Sequence, residues 1–263
     1  MEDFDPTRPN IARVYDYWLG GKDNFAADRE LARMMTEVNP GIPAMARANR
    51  EFINGAVQRA AEAGITQFLD LGAGLPTRPA VHDAACAVLP DARVVYVDND
   101  PVVVSHARAL LATHPGIHVA QADITKPDEV FGHPAVRGVI DWGQPVCVIV
   151  AAVLHFHDSA VAGQLLGAYA GACSAGSWLA VSVFSGHDET METRSRGTYT
   201  AASFWVHGQA DLAGWLDGLD VVPPGICEAR RWLSGMGGTP ARGGWTMCAL
   251  AIKAPGGGGA GGA

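Results

Sequence analysis

Four groups of side chains in this chain have the types and spacing for chemistry. The first is Asp70 with Gly72 and Gly74, inside Phe68-Leu69-Asp70-Leu71-Gly72-Ala73-Gly74-Leu75-Pro76-Thr77. Apolar residues lead into an acid, and two glycines follow one residue apart. Without a Cβ, each glycine lets the backbone turn sharply and come close to a ligand. The second group is Asp98 with Asn99, and the third is Asp123 with Ile124. A carboxylate accepts hydrogen bonds on two oxygens, so it suits neighbouring hydroxyl or amino groups. The fourth is His155 and His157. Histidine titrates near neutral pH, so either could serve as a general base or simply wall a pocket.

The elements that must hold these groups follow from the apolar spacing. Ile65–Leu71 reads as a first strand. Pro79 then suits a first helical position, and Val81, Ala84, Ala85 and Val88 form the stripe of a helix lying on a sheet. Arg93–Val97 reads as a second strand, ending at Asp98. Asp100 as N-cap and Pro101 open the next helix, with Val103, Ala107, Leu110 and Leu111 as its buried stripe. Ile117–Ala120 is a short third strand leading to Asp123, and 126–144 reads as broken helix and loop. Pro145–Val153 is a continuous apolar run, as expected of a central strand covered on both faces. Asp158 or Ser159 caps a helix with Ala162, Leu165, Leu166 and Tyr169 inward. Ser177–Phe184 is a fifth strand, 185–199 a long loop of both charge signs, and 200–217 helix-like. A short strand at 219–222 and a last one at Trp245–Lys253 follow without a convincing helix between them, so they should pair antiparallel. Strands alternating with helices make this an α/β, doubly wound, mostly parallel sheet. In such sheets ligands bind beyond the carboxyl ends of the strands, where the acids stand.

Ahead of the sheet, Ile11–Met35 is helical in pieces, interrupted at Gly20-Gly21, and 44–63 is a helix stopped by Gly64. The segment Val14–Phe25 is dense in aromatics, glycines and polar groups. It reads either as an amphipathic helix with a glycine stop or as a lid over a ligand, with Tyr15, Tyr17 and Phe25 closing it. Arg47, Asn49 and Arg50 share one turn just before the first strand. The expected division is a helical cap over 1–60, a ligand-binding domain over 61–254 and a disordered Gly/Ala tail over 255–263.

Bulk properties narrow the partners. The 263 residues carry a formal charge of −8, and lysine occurs only at 22, 126 and 253. Phosphate affinity comes from clustered Lys and Arg, so no nucleic-acid partner is expected. Five cysteines without a CxxC pair read as buried thiols in a reducing cytoplasm. The longest apolar stretch, around 145–156, is too short to cross a membrane. A cytoplasmic protein is the expectation.

An acid after the second strand suits the ribose of either NAD or S-adenosylmethionine. Two features favour the latter. The loop is GxG followed by Leu75-Pro76, and Thr77 stands where a dinucleotide site has its third glycine. Asp70 would repel a pyrophosphate but suits an ammonium and a sulfonium. Asp123 then accepts from the adenine amino group. The acids could also be plain helix caps and turn formers.

Several stretches resemble an actinobacterial family of S-adenosylmethionine-dependent methyltransferases. They are Ile11–Arg29 with its Tyr-Asp-Tyr-Trp-Leu-Gly-Gly-Lys-Asp-Asn-Phe run, Asn49-Arg50-Glu51-Phe52, the loop 68–77, Val95–Pro101 and Val153-Leu154-His155-Phe156. The resemblance runs from about residue 10 to the last strand. It implies a class I fold with a seven-stranded sheet, the last strand antiparallel, to which the residue reading adds an N-terminal helical lid. It implies S-adenosylmethionine as cofactor and names no substrate. On this reading the cofactor residues are Asp70, Gly72, Gly74, Asp98, Asn99, Asp123, Ile124, Ala151 and Tyr15. Arg50, ahead of Lys22, is the candidate for the donor's carboxylate. His187, Asp188 and Glu189 lie where substrate selectivity often resides, and no metal is expected of them. The leading function is methyl transfer to a small-molecule oxygen or nitrogen. A non-catalytic S-adenosylmethionine sensor and an NAD-dependent oxidoreductase are the alternatives.

Overall fold

The computed structural model describes residues 5–112, 114–186, 189–237 and 244–254. The tail from Pro255 and the pair His187-Asp188 lie outside them. Three helices come first: α1 (Ile11–Trp18), α2 (Ala26–Val38) and α3 (Ile42–Glu62). Asn10 caps α1 by accepting from the N–H groups of Ala12 and Arg13, and Gly64, at φ +90°, ends the α3 turn.

Strand β1 (Gln67–Leu71) leads to α4 (Val81–Cys86), and β2 (Arg93–Asp98) to α5 (Pro101–Leu110). Asp100 caps α5 as its sequence requires, accepting from Val102 N–H at 2.7 Å. Then come β3 (Ile117–Gln121), α6 (Pro127–Gly132), α7 (Pro134–Arg137) and β4 (Cys147–Ala151). A 3-10 turn over Leu154–Phe156 precedes α8 (Ser159–Ala172), whose N-cap is Asp158. The chain ends through β5 (Trp178–Gly186), α9 (Glu189–Thr198), α10 (Gln209–Trp215), β6 (Asp220–Val221), β7 (Cys227–Glu228), α11 (Ala229–Leu233) and β8 (Gly244–Ile252).

The strands order as β3-β2-β1-β4-β5-β8-β6. β1 to β5 run parallel, and β8 inserts antiparallel between β5 and β6. This is the expected seven-strand path, with the two-residue β7 added as an eighth strand on β8. Both faces are covered, so alternate residues enter opposite cores. Leu69, Val95, Val148 and Val181 face one core; Phe68, Val94, Cys147 and Ala180 face the other. α3 lies on the second face, where Phe52 and Ala56 are fully buried and the helix packs on β4, β5 and β8. A third, smaller core joins α1, α2 and Tyr199. All five cysteines are free thiols, and four are buried.

Three readings are corrected. Residues 189–198 form α9 rather than a loop. This helix has almost no apolar stripe to announce it; it packs on α2, and Ser195 within it is buried. Residues 200–208 are extended rather than helical, with Trp205 N–H bonded to His155 O at 2.8 Å and His207 N–H to Phe184 O at 3.2 Å. Leu110 is 48% exposed, and Val104 takes its place in the buried stripe of α5. At 100° per residue the stripe centres between Val103 and Val104, which leaves Leu110 at its edge. Among the described residues no helix is long and apolar enough to cross a membrane.

Candidate active site

β1 has β2 on one side and β4 on the other, so the strand order reverses between β1 and β4. The crevice beyond their carboxyl ends is roofed by α1 and the start of α3, giving a cavity of about 1230 Å³. The loop after β1 forms its floor. Gly72 and Gly74 take φ of +71° and +65°, the left-handed region that favours glycine. A Cβ on Gly72 would also lie 2.4 Å from Val153 Cγ1, so this turn excludes any side chain. Gly72 and Ala73 N–H both donate to Val97 O, at 2.9 and 3.1 Å, which ties the loop to β2.

The acids stand where the strand reading predicts. Asp98 ends β2 and accepts from Gly74 N–H at 2.9 Å on one oxygen and from Asp100 N–H at 3.0 Å on the other. Burial raises its pKa, and these backbone donors oppose the rise. Asp123 accepts from both the N–H and the hydroxyl of Thr125 on a single oxygen. Asp70 is buried within β1 and is pushed up to about 6 by loss of solvent, with the Arg50 guanidinium opposing and Asp98 reinforcing. Arg50 donates from Nη2 to Pro79 O at 3.3 Å, while its Nε is buried with no hydrogen-bond partner. Asn99, Ile124 and Ala151 also line the cavity.

The aromatic segment of the cap divides. Tyr15 lines the cavity and belongs to a hydrogen-bonded chain. Ser182 Oγ donates to Asn49 Oδ1 at 2.6 Å, Asn49 Nδ2 donates to Tyr15 Oη at 2.9 Å, and Tyr15 Oη donates to Ala46 O at 3.2 Å. Lys22 is exposed and stands outside the cavity lining, as do Tyr17 and the 40%-exposed Phe25. The polar residues of this segment hold one another. Asp16 accepts from Asp23 N–H at 3.0 Å and Asn24 Nδ2 at 2.7 Å. A Cβ on Gly21 would fall 1.9 Å from Asp16 Oδ1. Asp28, fully buried, accepts from Asn10 N–H, Arg13 Nε and Phe25 N–H at 2.8–2.9 Å. The motif is therefore a self-capping turn between α1 and α2, which is why Lys22 points away from the cavity.

The two histidines have different surroundings. His155 Nδ1 accepts from Phe184 N–H at 3.3 Å, which leaves the ring proton on Nε2. Burial lowers its pKa to about 3, helped by His207 and His157. It has no lone pair to offer as a base. His157 is half-buried on the cavity wall. Burial lowers its pKa, and the Asp123 and Asp158 carboxylates work against that. Sequence reasoning missed Ala152, which lines the cavity at φ +56° with its N–H donating to Ser182 O and Oγ at 2.9 and 3.1 Å. A non-glycine residue in this region is strained, and such strain clusters at ligand sites. Alanine gives no sequence signal for it. Among the described residues no group of His, Cys, Asp and Glu could hold a metal ion.

A family model described as S-adenosyl methyltransferase matches residues 1–253. A DUF574 family protein from Streptomyces avermitilis MA-4680 is 34% identical, with a TM-score of 0.85 over 95% of this chain and 99% of its own. A candidate methyltransferase from Thermobifida fusca YX is 36% identical, with a TM-score of 0.84 over 94% and 96%. The N-methyltransferase NodS from Bradyrhizobium japonicum WM9, in complex with S-adenosyl-L-homocysteine, is 15% identical. Its TM-score of 0.51, over 91% of this chain and 98% of its own, is a likeness of fold. No curated protein matches.

Proposed function

The chain belongs to the S-adenosyl methyltransferase family, and from that premise we propose that it methylates an oxygen or nitrogen of a small-molecule acceptor. The carrying observation is the cavity. At about 1230 Å³ it exceeds the roughly 300–1,000 Å³ of an ordinary small-ligand pocket, which leaves room for an acceptor beside the cofactor.

The residues at the strand ends fit S-adenosylmethionine. Asp98 receives the ribose hydroxyls on the lone pairs that Gly74 and Asp100 leave open. Asp123 uses its second oxygen for the adenine amino group. Asp70 meets the ammonium, whose charge favours the ionised form that burial opposes. Arg50, the first-ranked candidate, meets the carboxylate through Nε, a buried donor with no partner among the described residues, while Lys22 stands outside the cavity. When bound, the cofactor supplies a methyl carbon on a sulfonium that leaves as a neutral thioether. The protein's part is to hold the acceptor in line, where proximity supplies much of the rate. His157, kept largely neutral at pH 7 by burial, takes the acceptor's proton.

Incubation with methyl-labelled S-adenosylmethionine and a cell extract tests this. Label should enter a compound of low molecular mass, and S-adenosylhomocysteine should bind by calorimetry. His157→Gln should lower kcat by about 10²–10⁴ with the S-adenosylhomocysteine affinity unchanged. Label in protein or nucleic acid, or binding without label transfer, would refute the small-molecule reading.

A further inference from the structure

The cavity has two unlike ends. One carries the strand-end acids. The other is walled by Phe156, Phe184, Tyr199 and Phe204 around His155. Their rings form a connected set: Phe184 and Phe204 centroids are 4.9 Å apart, His155 and Phe204 5.4 Å, and Tyr199 and Phe204 5.9 Å. Phe156 and Tyr199 lie nearly parallel, 18° between planes at 6.2 Å. The three phenylalanines are only half-buried although they belong to the small third core, so part of each ring faces the cavity.

Among the described residues the aromatic side chains that form this wall carry no formal charge. Burial pushes the Tyr199 hydroxyl up in pKa. Burial and the neighbouring His207 and His157 lower the pKa of His155. Tyr199 is buried as a residue and lines the cavity with Phe156, Phe184 and Phe204. A phenol hydroxyl on a cavity wall can both donate to and accept from a ligand's polar group.

Building on the methyltransferase reading above, we infer that the acceptor is a neutral, planar aromatic compound whose ring packs against Phe156 and Phe204 and whose polar substituent meets the Tyr199 hydroxyl. Offset and edge-to-face packing on aromatic walls selects a flat ring over a saturated one of equal size. A cation would find aromatic faces here but no carboxylate to pair with among the described residues of this wall.

The test uses naphthol, its saturated analogue decahydronaphthol and phenyltrimethylammonium, each titrated by calorimetry into the full chain with and without S-adenosylhomocysteine. Naphthol should bind about ten-fold more tightly than decahydronaphthol. Tyr199→Phe should weaken naphthol by about three- to ten-fold. Phe204→Leu, which keeps the volume and loses the ring, should also weaken it. Neither change should alter S-adenosylhomocysteine affinity. Equal binding of decahydronaphthol, preference for the ammonium, no naphthol binding, or indifference to both substitutions overturns the inference. Naphthol binding without any S-adenosylhomocysteine binding would instead sink the cofactor assignment and support the aromatic site.

Discussion

Burial holds the Asp70 carboxyl at a pKa of about 6, with Arg50 opposing and Asp98 reinforcing. An unfolded aspartate ionises near 4, so between about pH 4 and 6 the folded chain keeps a proton the unfolded chain has lost. The stability this group contributes is full below the unfolded value and is lost as pH rises through 6. At pH 7 the buried charge costs on the order of 3 kcal/mol. Asp70→Asn should therefore raise the urea midpoint at pH 7, leave it unchanged near pH 4, and weaken S-adenosylhomocysteine. Equal midpoints at pH 7 would show the carboxylate to be solvated. At this scale the acids were legible, because each closes an apolar run. The distinction between His155 and His157 was not. It depends on Phe184 and on Asp123, brought in from distant parts of the chain.

Among the elements, the strands and α5 could be read from the sequence because their signals are local: continuous apolar runs for β1, β2 and β4, and Asp100-Pro101 for the start of α5. α9 could not, since its stability comes from lying on α2 rather than from an apolar stripe. The α1–α2 turn is conspicuous in sequence but reads equally as a glycine-stopped helix or a lid, and the structure shows most of its polar groups bonding within the turn. Asp28 is the hub of that turn, and Arg13 is buried beside it at 2.8 Å. Removing one partner of a buried ion pair strands the other, at about 3–5 kcal/mol. In Asp28→Ala, hydrogen exchange should accelerate across 10–38 while β1, β4 and β5 keep their protection. Uniform loss across the sheet would show that the cap and the sheet unfold together.

The whole molecule is a sheet whose strand tips carry acids on one side of the cavity and a helical cap whose own core supplies the opposite wall. Tyr199, Phe156 and Phe204 pack with Val14, Met35 and Met45 of that cap, yet they also border the open cavity. The third core therefore leaves aromatic surface open to the cavity, and on the reading proposed above the acceptor would fill it. Such a protein announces its substrate by heat. A compound that fills the gap at 100 times its Kd should add about 2.7 kcal/mol of stability, concentrated in the lid, and one that does not fit should add none. Melting the chain against a library of metabolites, in the presence of S-adenosylhomocysteine, would then rank candidates before any product is known. A hit list that stabilises the sheet and leaves the lid unchanged would place the acceptor elsewhere.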